Sequence, residues 1–226
     1  MSFVLKELKN NRLKVEKCVE EPKAGCGYVG GKINSKTLHK MISNGYSDNP
    51  KQTENVDGYQ LDKSLSGTRA QVYYHPETKH LVVNHRGTKG VHDVMTDIGL
   101  MFGHKSNKRF KHGKKITDEA LKKYDTDNVA VSGHSLGAEV AREASKNKKH
   151  DVVVVNPVVA PLDMFNKQKD NETVIRSTLD PISGLHSFNP YRNEARTIDI
   201  KAKTWNPLKE HSSNILQDLG DQDVGV

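Results

Sequence analysis

The sequence predicts an α/β fold with a mostly parallel central sheet flanked by helices, and three observations carry that reading. Short β-branched runs recur through the second half of the chain, at residues 129–131, 151–155, 173–177 and 197–200. The first is of the fully buried type, Val129-Ala130-Val131, and it is separated from the second by the helix-forming run 138–146. Strands that alternate with helices build βαβ units and hence parallel pairing. The length fits: 226 residues make one domain of fair size. Such a chain buries roughly 70% of the surface its unfolded form exposes, so it needs no disulfide or metal staple to fold.

The first 60 residues are expected to pack on the core as an N-terminal segment. They hold Gly25, Gly27, Gly30 and Gly31, whose spacing matches neither a Walker loop nor GxGxxG, so bends and tight packing are the expected use. Ser35 then stands as the N-cap of a helix carrying Leu38, Met41 and Ile42 as far as Asn44. The core domain is expected over residues 61–220. Ala70, Val72 and Tyr74 alternate with polar neighbours, His75-Pro76-Glu77-Thr78 turns the chain, and Leu81-Val82-Val83 returns as a second strand, which reads as a β-hairpin. Asn84-His85-Arg86-Gly87-Thr88 follows.

Next come Val91, Val94, Met95, Ile98 and Met101 at helical spacing. Between Gly99 and Thr117 lie Lys105, Lys108, Arg109, Lys111, Lys114 and Lys115 and no acid, so this stretch reads as a basic loop. A helix is expected to open at Thr117 or Asp118. Residues 221–226 read as a loose tail.

Composition narrows the function. Lys plus Arg number 35 against 28 for Asp plus Glu, a net charge of 35 − 28 = +7, with 34% hydrophobic residues, which suits a folded domain with a large wet surface rather than a disordered chain. No run approaches the roughly 18 apolar residues of a membrane span. Phe3, Val4, Leu5 and Leu8 are too interrupted by charge for a signal-peptide core, so synthesis in the cytoplasm is expected, with the final location open. Cys18 and Cys26 are compatible with a short disulfide loop or with free thiols, and no CxxC zinc pattern occurs. The pI of 9.2 raises nucleic-acid binding as a rival, weakened by only 6% aromatic residues and no recognisable nucleic-acid module.

The decisive feature is Gly133-His134-Ser135-Leu136-Gly137 between the strand 129–131 and the helical run. GxSxG in that context is a nucleophile elbow: small residues flank a serine on a sharp, strained turn, and the following helix N-terminus offers a backbone N–H where an oxyanion would form. A serine needs a base, and the base needs a carboxylate to fix its tautomer. Enzymes with this elbow carry acid and then histidine downstream of the serine. Asp163, Asp170, Asp180 and Asp199 compete for the acid. Asp180 stands directly after a strand at a turn fixed by Pro181, where such sheets place functional groups. Of the downstream histidines, His150 closes a lysine-rich helix and His186 is six residues past Asp180, which leaves His211.

These residues resemble the class 3 lipases of the α/β-hydrolase superfamily, the fungal triacylglycerol lipase type. The hairpin ending in His85-Arg86-Gly87-Thr88 is similar to the family's strand ending in Arg-Gly-Ser or Arg-Gly-Thr, residues 93–100 to its lid region, and GHSLGA to its elbow. Asp180-Pro181 and His211-Ser212 resemble its acid and base sites. The resemblance spans about residues 66–216. It implies an α/β-hydrolase-type fold, Ser135 as nucleophile, Asp180 as orienting acid and His211 as base. It also implies an oxyanion hole from the backbone N–H groups of Thr88 and Leu136, with the Thr88 hydroxyl. Val94 stands where the family often has a lid tryptophan, which leaves interfacial activation open.

The expected function is therefore a serine ester hydrolase acting on acyl lipids, a lipase or phospholipase, without metal or cofactor. The alternative is a catalytically silent lipid-binding or structural protein on the same fold. Arg86 is expected to brace its loop, with Asp97 as partner. The apolar set Val94, Met95, Ile98, Leu100, Met101 and Phe102 fits either a lid helix or ordinary core. The neighbouring cations Lys105, Lys108, Arg109, Lys111, Lys114 and Lys115 fit either a solvated stretch or peripheral contact with an anionic membrane.

Overall fold

The structure, a computed structural model, describes residues 32–49, 55–88, 108–159, 167–193 and 196–225. In chain order its elements are β1 (Ile33–Asn34), α1 (Ser35–Tyr46), β2 (Asn55–Val56), β3 (Tyr59–Leu61), β4 (Ala70–His75), β5 (His80–His85), α2 (Lys108–Tyr124) and β6 (Val129–His134). There follow α3 (Leu136–Ala144), β7 (Asp151–Val155), β8 (Glu172–Ser177), a 3-10 turn at Gly184–Phe188, β9 (Thr197–Ile200), α4 (Pro207–Glu210), a second 3-10 turn at Ser213–Leu219 and β10 (Asp223–Val224).

β2 to β9 form one sheet in sequence order. The expected hairpin is present, with Val72 opposite Val83 across β4 and β5. β2, β3, β4 and β5 pair antiparallel, and β5 through β9 pair parallel. The parallel pairs are joined by the long crossovers that such pairing requires, with α2 between β5 and β6 and α3 between β6 and β7.

Because successive strand residues point to opposite faces, the valine runs supply two cores at once. On one face Tyr73, Val82, Ala130, Val153, Val155 and Ile175 pack with Leu38, Met41 and Ile42 of α1 and with Ile215 and Leu216. On the other, Val72, Val83, Val131, Val152, Val154 and Val174 pack with Ala120 of α2 and with Ala138 and Ala141 of α3. Each fully buried valine contributes roughly 1.5–3 kcal/mol relative to exposure. The helix-covered, mostly parallel sheet is the fold class expected from the sequence.

Three local expectations are corrected. Residues 108–117, expected as part of a basic loop, are the first turns of α2. Phe110, Gly113, Thr117 and Ala120 are buried at three- and four-residue steps, a stripe built largely of small residues that an apolar pattern does not show. The lysines are good helix formers on the opposite side, where Lys114 and Lys115 pair with Asp118 and Glu119 one turn on. α3 starts at Leu136, two residues before the expected run, because the turn at Ser135 leads directly into it. The N-cap of α1 is Asn34, whose side chain accepts from the Lys36 and Thr37 N–H groups, while the Ser35 hydroxyl donates to the Gly220 carbonyl.

The segment after Gly220, expected to be loose, pairs through β10 with β1 and buries Val224. The Gly25–Gly31 cluster, Cys18, Cys26, the lid-like set 91–102, Asp97 and Lys105 lie outside the described residues. No helix among the described residues is long and apolar enough to cross a membrane.

Candidate active site

The site is assembled where β6, β8 and β9 end. Ser135 follows β6 immediately and has φ 58° and ψ −128°, a backbone region that non-glycine residues enter only when the surroundings enforce it. The enforcement is visible. A Cβ at Gly133 would sit 2.2 Å from the Gly137 carbonyl oxygen, and one at Gly137 would sit 2.0 Å from the His85 carbonyl oxygen. Both glycines of the motif are thus required by close backbone approach, and the approach of Gly137 brings the loop after β5 against the start of α3. The Ser135 N–H donates to the Val155 carbonyl at 3.0 Å, which ties the turn to β7.

His211 caps α4, after β9, and Asp180 lies three residues beyond β8. The structure brings both to Ser135: His211 Nε2 is 2.8 Å from Ser135 Oγ, and His211 Nδ1 is 3.0 Å from Asp180 Oδ2. All three side chains are buried. A carboxylate accepts, so Nδ1 carries the proton and Nε2 is left to accept from the serine hydroxyl. Burial works to raise the Asp180 carboxyl, yet its hydrogen bonds from His211, Ser183 and the Ile182 N–H hold it below the ordinary carboxylate range. The Ile182 and Ser183 N–H groups reach it at 3.0 and 3.2 Å, in the Asx-type turn that Asp180-Pro181 announces. Asp180 is therefore an anion aligned on His211.

Four further residues hold His211 and its neighbours in place, and the motif reading did not single them out. His134 Nε2 lies 2.7 Å from the His211 carbonyl oxygen, so that nitrogen donates and Nδ1 accepts from the Tyr46 hydroxyl at 2.8 Å. The Tyr46 oxygen in turn accepts from the Gly87 N–H at 3.0 Å. Burial and the proximity of His211 press the His134 pKa down to about 3, and burial lifts Tyr46 to about 12, so both stay neutral. Asn156 donates to the carbonyls of Glu210 and Ser212 at 2.8 and 3.2 Å, and its own φ of 42° is one that asparagine tolerates. Glu210 accepts from the Lys203 and Thr204 N–H groups and from the Ser177 hydroxyl. The carbonyls of residues 210, 211 and 212 are each held from outside their own turn. His134 was legible as the variable residue of the elbow. Asn156 was visible only as a strand-ending Asn-Pro, and Tyr46 carried no local signal.

Thr88 is the last described residue of the loop after β5, and Gly87 beside it stands so close that a Cβ there would lie 3.0 Å from Ser135 Cβ. The Arg86 carbonyl accepts from the Arg109 guanidinium, which pins that loop to the first turn of α2. Among the described residues no group of three or more His, Cys, Asp or Glu side chains is arranged to hold a metal ion.

The mostly parallel sheet, covered by helices, thus carries Ser135 on the turn between β6 and α3. No family model matches the chain, and no curated protein matches it in sequence. Among solved structures it is similar to the Lip2 lipase of Yarrowia lipolytica, at 15% identity and TM-score 0.47 over 73% of this chain and 77% of that one. It is similar to the Rhizomucor miehei lipase in its propeptide complex at 15% identity and TM-score 0.46, over 69% of this chain and 64% of that one. A triacylglycerol lipase from Penicillium expansum matches at 14% identity and TM-score 0.42, over 74% of this chain and 78% of that one.

Proposed function

We propose that this protein is a serine ester hydrolase acting on acyl lipids, a lipase or phospholipase, through an acyl-enzyme intermediate. The observation that carries the reading is the series Asp180–His211–Ser135, with contacts of 3.0 and 2.8 Å, ending on a serine held in a strained elbow. Ser135 Oγ attacks the ester carbonyl while His211 Nε2 takes its proton. The tetrahedral oxyanion forms against the backbone N–H groups of Thr88 and Leu136, assisted by the Thr88 hydroxyl, and each such donor is worth about 10²–10³ in rate. His211 then protonates the departing alcohol, and water, deprotonated by the same nitrogen, releases the acid. Asp180 stabilises the imidazolium at both stages. His134 stays neutral beside it, so the two rings do not compete for charge. The reaction as written uses no metal or cofactor.

The acyl-lipid class rests on the motif resemblance across residues 66–216. We extend it to peripheral contact with anionic membrane through the cations of the 105–115 stretch. Among the described residues of that stretch Lys108, Lys111, Lys114 and Lys115 are exposed at the start of α2, the last two while paired with Asp118 and Glu119, and Arg109 is engaged with the Arg86 carbonyl.

Hydrolysis of p-nitrophenyl esters of short and long acyl chains by wild type and Ser135→Ala, with and without anionic vesicles, tests the function. Loss of turnover in the variant with its melting unchanged supports the reading. Turnover retained in the variant, or absent from wild type on every ester, contradicts it.

A further inference from the structure

The loop between β9 and the triad histidine presents a feature that the chemistry leaves unused. Trp205 is 91% exposed, Leu208 is 52% exposed, and Leu179, the neighbour of Asp180, is 45% exposed. Large apolar side chains facing water are individually ordinary, but here Trp205 and Leu208 stand on the short segment leading into His211 and Leu179 on the adjoining loop, beside a candidate site, a concentration that points to a contact. The loops adjoin because the Thr178 N–H donates to the Ile200 carbonyl at 2.9 Å and the Ala202 N–H donates to the Thr178 hydroxyl at 3.1 Å.

The Trp205 loop is also built to stay in place. Glu210 accepts from the N–H groups of residues 203 and 204, the Thr204 hydroxyl accepts from the Asn206 N–H, and Asn206 caps α4, whose first residue is Pro207. The backbone on either side of the tryptophan is thus fixed, while its side chain faces water.

Its own loop is basic, and the acid Asp218 reaches it at Lys203. Residues 201–209 carry Lys201, Lys203 and Lys209, all exposed, and the nearest acid in sequence, Glu210, is buried with its oxygens committed to backbone and Ser177. Lys203 reaches Asp218, while its side chain remains 72% exposed. A tryptophan wedge ringed by lysines complements a surface that is apolar within and anionic at its boundary, where Trp rings and Lys ammonium groups settle at headgroup level.

We propose that the ridge of Trp205, Leu208 and Leu179, with Lys201, Lys203 and Lys209 around it, docks onto an anionic phospholipid bilayer and sets the triad at its boundary. The purpose of the docking rests on the acyl-lipid hydrolase reading; the docking itself does not. It engages the surface from the α4 side, separately from the start of α2.

Trp205 is the chain's one tryptophan, so its emission reports the contact directly. In the Ser135→Ala full-length protein, adding vesicles of phosphatidylcholine with about 30% phosphatidylserine should shift that emission to the blue, as transfer of an exposed indole to the interface requires. Pure phosphatidylcholine should do so only weakly, since each lysine is worth about fivefold in affinity for the anionic surface. In co-sedimentation, Trp205→Ser should weaken vesicle binding about tenfold, with hydrolysis of a soluble short-chain ester unchanged. Unchanged emission on anionic vesicles, with soluble hydrolysis intact, overturns the docking and leaves the enzyme reading standing. Docking as described without any hydrolysis supports the inference and removes the enzyme reading. Equal shifts on both vesicle types, or a concentration-dependent shift and self-association without vesicles, overturn it in favour of a purely apolar or a protein contact.

Discussion

His134 donates its Nε2 proton to the main-chain carbonyl of His211 at 2.7 Å, so the residue before the candidate nucleophile holds the candidate base by its backbone. The other ring nitrogen accepts from Tyr46, which accepts from Gly87, one residue before the expected oxyanion donor Thr88. One chain of hydrogen bonds therefore links the serine elbow, His211 and the loop at Gly87.

Tyr46→Phe removes the hydroxyl at the centre of that chain. The Gly87 N–H and His134 Nδ1 lose a partner, at a cost of about 1–3 kcal/mol for each buried group left unsatisfied. The expected outcome is a lower melting temperature and a kcat reduced about tenfold with KM little changed, because the lost element is alignment rather than binding. Steady-state kinetics on a soluble ester checks it, and a change confined to KM would contradict it.

Asp180→Asn preserves the shape of the acid while removing its charge and its preference for the Nδ1–H tautomer of His211. An amide can donate to Nδ1 and turn the proton toward Ser135, so kcat should fall about 10³- to 10⁴-fold with the far-UV spectrum unchanged. A fall of less than tenfold would remove Asp180 from the mechanism.

Gly137→Ala tests the close approach that shapes the elbow. The new Cβ would lie 2.0 Å from the His85 carbonyl oxygen, and the atoms it meets are all backbone, so the β5 loop and α3 must separate. Overpacking of this kind costs roughly 1–3 kcal/mol and should also reduce turnover by displacing Thr88. Chemical denaturation measures the first effect, and wild-type stability in this variant would contradict the packing.

Acid should unfold the protein early. Burial, the leading cause in each case, presses His85 and His134 down to about 3 and His150 and His186 down to about 4, against 6.5 for an exposed imidazole. For a histidine with a lowered folded pKa, stability is fully present above about pH 6.5 and is lost as pH falls toward the folded value. Each contributes a slope of about 1.4 kcal/mol per pH unit in that window. Four such groups together make stability fall steeply as pH drops below about 6.5. Urea melts from pH 8 to pH 5 check the slope, and equal midpoints across that range would contradict it.

The legibility of these features in sequence followed how local their causes are. The valine runs declare the sheet because β-branched residues covered on both faces need no partner information. GHSLG declares the elbow because its two glycines answer contacts within a few residues and with the adjacent strand. The start of α2 was hidden, since its buried stripe is Phe110, Gly113 and Thr117 rather than a run of large apolar residues. Asp180 and His211 could be ranked by strand-end position, although 31 residues separate them. Tyr46 and His134 are 88 residues apart and Asn156 and Glu210 are 54 apart, and no periodicity encodes such pairs.

The central claim, that His211 activates Ser135, is tested most directly by covalent labelling, which requires no knowledge of the natural ester. A fluorophosphonate probe reacts with a serine whose proton a neighbouring base removes, and peptide mass spectrometry locates the adduct. One adduct is expected on Ser135 in the wild-type protein, none in Ser135→Ala, and labelling slowed at least about 10³-fold in His211→Ala. Absence of label on Ser135 in folded wild-type protein, or equal labelling rates with and without His211, would contradict it.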